Sequence, residues 1–126
     1  MAESGLPALI TRFFSMRFAT KAIHAGVHPT RTQLQDALAA LDDGRHGIAF
    51  ASGMAATDCV VKLLAPGDEV ICTNDLYGGT YRIFTKVYEP LGIKFHFVPM
   101  HDVAAVREKI SPRTKLLWVE TPTNPL

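Results

Sequence analysis

A chain of 126 residues is long enough for one domain with a real core. Its 48% hydrophobic and 20% charged residues place it among soluble globular proteins, and a net charge of +1 with scattered basic residues argues against the basic face of a nucleic-acid binder. No apolar run reaches the length of a membrane span, and Cys59 and Cys72 fall in apolar helix and strand patterns that read as buried thiols of a reducing, cytoplasmic compartment.

Residues 1–28 read as an N-terminal arm. Leu9, Ile10, Phe13 and Phe14 flank Arg12, but the segment has few arginines and contains Glu3, so a disordered or loosely docked arm fits better than a targeting peptide. Thr30 or Thr32 is placed to cap a helix with Leu34, Leu38 and Leu41 on one face, stopped by Asp42-Asp43-Gly44. The apolar run 47–51 is expected to be the first strand, breaking at Ser52-Gly53 into a helix over 54–64 that Pro66-Gly67-Asp68 ends. A second strand is expected over 69–73, a helix from Gly79 to about Leu91 and a third strand over 93–98. Asp102 can cap a short helix carrying Val103, Val106 and Ile110, and a fourth strand is expected over 115–119.

Four strand–helix alternations with short joins predict an α/β fold, a mostly parallel sheet with helices on both faces. Ligands of such sheets collect beyond the carboxyl ends of the strands. Three polar loops fall there: Ser52-Gly53, the 74–79 loop containing Tyr77, and the 120–124 segment. They are expected to line one rim.

A strand–Gly–helix junction offers free N–H groups and a positive helix end, a setting for phosphate. The amides of Gly53 and Met54 are the candidate donors and the Ser52 hydroxyl a further contact; an ordinary turn is the plainer alternative. The segment matches neither G-x-G-x-x-G nor a Walker loop, which counts against a nucleotide-binding module. Tyr77, beside two glycines, either presents its ring to a planar ligand with its hydroxyl as proton carrier, or anchors the loop. Pro122 and Pro125 stiffen a loop that presents Glu120 and Asn124; a Pro-rich turn with a solvated Glu120 is the plainer alternative. His24, His28, His46, His96 and His101 show no ligand spacing, so no metal site is expected, and His96 reads as structural.

Five motifs occur in order: Phe18-Ala19-Thr20-Lys21-Ala22-Ile23-His24-Ala25-Gly26, Pro29-Thr30-Arg31, Phe50-Ala51-Ser52-Gly53-Met54-Ala55-Ala56, Asp75-Leu76-Tyr77-Gly78-Gly79-Thr80 and Glu120-Thr121-Pro122-Thr123-Asn124-Pro125. Together they resemble the N-terminal portion of the Cys/Met-metabolism enzymes that use pyridoxal 5′-phosphate (PLP), the transsulfuration enzymes: cystathionine γ-synthase, the cystathionine γ- and β-lyases and methionine γ-lyase. The resemblance implies the aspartate-aminotransferase type of fold (fold type I), with 29–126 as the first half of the PLP-binding domain. It implies a sulfur amino-acid substrate, handled by β- or γ-elimination or γ-replacement, and a homotetramer built as a dimer of dimers. It makes Ser52, Gly53 and Met54 the phosphate site and Tyr77 the ring stacked on the cofactor and a catalytic proton carrier. Asn124 falls beside the cofactor's phenolic oxygen, and Glu120 supports that edge.

Two departures stand out. Gly26-Val27-His28 runs directly into Pro29, so the Tyr-x-Arg pair that relatives carry between these motifs is missing. The lysine that tethers the cofactor, the aspartate on the pyridine nitrogen and the arginine for the substrate carboxylate are expected downstream of Leu126; Lys21 only mimics the tethering context. The alternative is a non-catalytic remnant that pairs with homologous subunits. The choice of substrate, and of lyase or synthase, is not written in these residues.

Overall fold

The computed structural model describes residues 29–123. The N-terminal arm and Asn124 lie outside the described residues. The described residues divide into two compact units, 29–59 and 60–123.

The first unit opens with helix α1, Pro29–Leu41. Thr30 and Thr32 lie within the helix rather than ahead of it, so neither is its cap. Ala39 is buried, Leu38 half-buried, and Leu34 and Leu41 are exposed, so the shared leucine face is largely open. The helix stops where expected. The Gly44 amide bonds back to the Ala39 carbonyl at 2.8 Å, and Asp43 takes the left-handed turn at φ 50°, a conformation that Asp tolerates better than most side chains.

Residues 47–51 do not form the expected strand. A strand exists only through a backbone partner, and here side chains supply the partners instead. The Ala49 N–H donates to Gln35 Oε1 at 2.9 Å, and the Arg31 guanidinium donates to the Ala49 carbonyl at 2.7 Å. Arg31 Nε also donates to Gln35 Oε1, locking the two together on one helix face. A side chain on Gly47 would collide with the Gln35 carbonyl, so only glycine allows this approach. Helix α2, Gly53–Val61, follows and is three residues shorter at its end than expected. Cys59 is exposed, contrary to the expectation of a buried thiol; only Cys72 is buried.

The second unit is built on three parallel strands: β1 Glu69–Thr73, β2 Lys94–Val98 and β3 Thr114–Trp118, in the order β2-β1-β3. All five residues of β1 are buried, as a central strand covered on both faces requires. Val70 lies opposite Phe95 and Cys72 opposite Phe97. On the other side Glu69 faces Thr114 and Val70 faces Leu116, so the register skips the exposed Lys115.

The expected helix from Gly79 to Leu91 is two pieces: α3, Gly78–Ile83, and a π-helical turn, Phe84–Tyr88. Glu89 N–H reaches the Phe84 carbonyl five residues back at 2.9 Å. Pro90 has no N–H to continue an α-helical ladder, and Thr85 Oγ spends its proton on the Tyr81 carbonyl, a bond that bends helices. Gly92, at φ 93°, ends the segment with its ideal side-chain position close against Pro66. Phe84 is fully buried. It stacks on Phe95 at 4.4 Å between centroids and meets Trp118 edge-on at 5.4 Å, gripping β2 and β3 from above β1. Asp102 caps α4, Val103–Lys109, accepting from the Ala104 and Ala105 amides as its position predicts.

At the starting ends of the strands, Glu69 is buried and accepts from Ser111 Oγ at 2.9 Å and pairs with His96 Nε2 at 3.1 Å. His96 is structural, as expected. The Ser111 hydroxyl is the main cause of a Glu69 carboxyl held below its ordinary value of 4.5; burial opposes it, and His96 and Lys94 add to the lowering. A carboxyl with a depressed folded value stabilises the fold above its ordinary titration range, and that stabilisation fades as pH falls toward the folded value. Glu69→Gln is therefore expected to cost about 1–3 kcal/mol at neutral pH, the scale for a buried hydrogen-bonded charge. The gap to the native chain should close below pH 4.5, read by urea unfolding followed on Trp118, the single tryptophan. A gap that stays constant into acid would show that the charge is not what holds this end.

Burial pushes the Cys72 thiol up to about 12, helped by the charges of Glu120 and Glu89. A maleimide at mildly alkaline pH is expected to label Cys59 rapidly in the folded chain and Cys72 only after unfolding. Mass mapping of the two labelled peptides checks this.

Candidate functional site

Two groups of the expected site residues are assembled locally, one in each unit. The first is the mouth of α2. In an α-helix the leading N–H groups have no partner inside the helix. Ser52 takes one of them and accepts the first bond of the helical ladder. Its Oγ accepts from the Ala55 amide at 3.1 Å, the bond of an N-cap, and its carbonyl accepts from Ala56 at 3.2 Å. The amides of Gly53 and Met54 remain at the helix end, and the Ser52 hydroxyl still has its proton to donate. Thr57 Oγ bonds back to the Gly53 carbonyl at 3.1 Å, which fixes that first turn. The segment entering this mouth is the one held by Arg31 and Gln35 through Ala49. Those two residues were not expected from sequence as site-supporting groups; Arg31 was marked only by the Pro29-Thr30-Arg31 motif, and Gln35 by nothing.

The second group lies beyond the carboxyl ends of β1 and β3. Tyr77 is the residue immediately before α3, with φ −51° and ψ 132°, and its carbonyl accepts from Tyr81 at 3.0 Å. Its side chain does not bury itself as a loop anchor would: Tyr77 is 49% exposed. The backbone, by contrast, is tied down. Tyr77 N–H donates to Glu120 Oε2 at 2.8 Å, Thr80 Oγ donates to Glu120 Oε1 at 2.9 Å, and Trp118 Nε1 donates to Glu120 Oε1 at 3.1 Å. A second link crosses the same gap, from Thr123 Oγ to Asp75 Oδ2 at 2.7 Å. Tyr77 and Glu120 are thus brought together, 43 residues apart in sequence. Trp118 and Thr80 join them without having been singled out from sequence. Trp118 fell within the expected fourth strand and Thr80 at the start of the expected helix. Asn124 lies outside the described residues.

Among the described residues no group of His, Cys, Asp and Glu is arranged to hold a metal ion, and no helix is long and apolar enough to cross a membrane.

The second unit, a parallel sheet with polar loops at the carboxyl ends of its strands, has an α/β architecture of the kind that takes ligands at that edge. The family model for Cys/Met metabolism PLP-dependent enzymes matches residues 25–126. Over 99 residues the chain is 52% identical to a probable cystathionine gamma-synthase of Herpetosiphon aurantiacus, covering 79% of this chain and 31% of that protein. It is 49% identical over 98 residues to the cystathionine gamma-lyase of Mus musculus, covering 78% of this chain and 25% of the relative. A crystal structure of cystathionine gamma-lyase from Lactobacillus plantarum, complexed with L-serine, superposes with a TM-score of 0.76 at 40% identity over 86% of this chain and 30% of that one. The chain belongs to the Cys/Met-metabolism PLP-dependent enzyme family and has part of its fold-type I architecture. It spans roughly a quarter to a third of the length of these relatives.

The residues present suit the cofactor of this family. Two amides with no acceptor among the described residues, and a hydroxyl, at the end of a nine-residue helix suit the acceptor oxygens of a phosphate monoester. A tyrosine ring left open on a loop with a pinned backbone suits one face of a planar heteroaromatic ring.

Proposed function

We propose that the chain forms the N-terminal part of a PLP-dependent transsulfuration enzyme that eliminates or replaces the sulfur-bearing side chain of a cystathionine-class amino acid. The observation that carries this reading is Tyr77: an open aromatic ring on a backbone fixed at both ends of the gap between β1 and β3. Family membership and relatives named cystathionine gamma-synthase and gamma-lyase support the reaction class. PLP, when bound, supplies the electron sink at the substrate's α-carbon.

The chain's own residues have narrower tasks. The Gly53 and Met54 amides and the Ser52 hydroxyl bind the phosphate, assisted by the positive end of α2. Tyr77 covers one face of the cofactor ring, and its hydroxyl holds or delivers a proton near the reacting carbon. Asn124 takes the contact to the cofactor's phenolic oxygen that the resemblance assigns to it. Glu120 supports this edge of the site. The enzyme is proposed to work in the cytoplasm as a homotetramer, a dimer of dimers.

Tyr77→Phe separates the two tasks of that side chain, because Phe keeps the ring and loses the hydroxyl. The test places this chain in an active family enzyme in exchange for the matching segment. There Tyr77→Phe is expected to lower kcat by about a hundredfold, the scale of one positioned general acid or base, and to change the PLP dissociation rate far less. An unchanged kcat would remove the proton-carrying role.

A further inference from the structure

Glu120 does more than border the site. In a capping box, a glutamate three residues into a helix reaches back to the N–H of the residue before the helix and completes its start. Helix α3 has no such glutamate. The third helical residue is Thr80, and Tyr77 offers no side-chain cap of its own. The carboxylate arrives instead from the segment after the neighbouring strand β3. Glu120 accepts the Tyr77 N–H on one oxygen and the Thr80 hydroxyl and Trp118 indole on the other. Both oxygens are therefore engaged by the protein. Trp118 is 7% exposed and held edge-on against Phe84, so one of the three donors is anchored in the aromatic core.

We infer that Glu120 is a positioning residue: a capping carboxylate, contributed from 43 residues away, that sets the backbone angle at Tyr77 and so aims its ring. This deepens the reading of Tyr77 as the ring that meets the cofactor and rests on it. Glu120 acts by reach and hydrogen bonding, not by lending negative charge to the cofactor.

Reach and charge are separable by substitution. Glu120→Gln keeps the length. With its amide turned, the oxygen accepts Tyr77 N–H and the NH2 donates to a rotated Thr80 hydroxyl, so only the indole loses its partner. Glu120→Asp keeps the charge but is shorter by about 1.5 Å, and cannot span Tyr77 and Trp118 together. Glu120→Ala loses everything.

The test uses the full chain with two readouts besides activity. One is amide hydrogen exchange at Tyr77, with Ile71 in the buried strand β1 as the folding control. The other is the circular dichroism induced in added PLP, which is achiral when free. With Ile71 unchanged, exchange at Tyr77 is expected to rise about tenfold in Glu120→Ala and Glu120→Asp and about twofold in Glu120→Gln. The induced signal should fall in the same order. Adding Glu120→Ala to Tyr77→Ala should cost little more of the signal than Tyr77→Ala alone, since the effect passes through Tyr77. Unchanged Tyr77 exchange in Glu120→Ala overturns the inference. So does Glu120→Asp with a full induced signal, because charge would then suffice. A full signal in Tyr77→Ala instead overturns the role of Tyr77, while the exchange order still decides that of Glu120.

Discussion

The second unit depends on a relay of contacts that ends in one carboxylate. Phe84 fills the space above β1 and grips Phe95 of β2 and Trp118 of β3, so both outer strands are fixed to the same ring. Trp118 is then in place to give its indole proton to Glu120, the second residue past β3. Glu120 in turn holds Tyr77 and Thr80 at the start of α3. A half-buried carboxylate is costly without donors and gains most when each oxygen is occupied, so this arrangement is self-consistent only as a whole. The carboxylate is the group that all three donors share.

The sheet uses its two ends differently. At the starting ends Glu69 is closed in by Ser111 and His96, with its charge spent on holding the strands. At the carboxyl ends Glu120 spends its charge on a loop and leaves a tyrosine open to its surroundings. Buried polar groups at one end and a rigid, exposed aromatic at the other are what a parallel sheet needs to be stable and still bind a ligand. In the first unit the corresponding device is Ser52, whose cap takes the Ala55 amide and leaves those of Gly53 and Met54. Arg31 and Gln35 hold the incoming segment through the two backbone groups of Ala49.

The sequence made local features plain and long-range ones only in part. The span of β1, the Asp102 cap and the parallel α/β pattern follow from apolar runs and punctuating residues, which act over a few positions. The segment 47–51 has the composition of a strand, but composition cannot supply a partner, and Gln35 and Arg31 satisfy Ala49 in its place. The break of the helix after Ile83 was marked by Pro90 and Thr85, each ordinary in isolation. Cys59 stands in an apolar pattern yet faces outward, because periodicity gives the face and not what covers it. Tyr77 and Glu120 were both marked from sequence. Their hydrogen bond was not, since a separation of 43 residues leaves no periodic trace.

In the proposed enzyme the phosphate of PLP sits on the first amides of α2. Backbone amide shifts of Gly53 and Met54 test it most directly, with PLP and its phosphate-free analogue pyridoxal compared on the same sample. PLP is expected to move both resonances in a saturable way, while pyridoxal leaves them in place. Equal shifts with both compounds, or none with PLP, would contradict it.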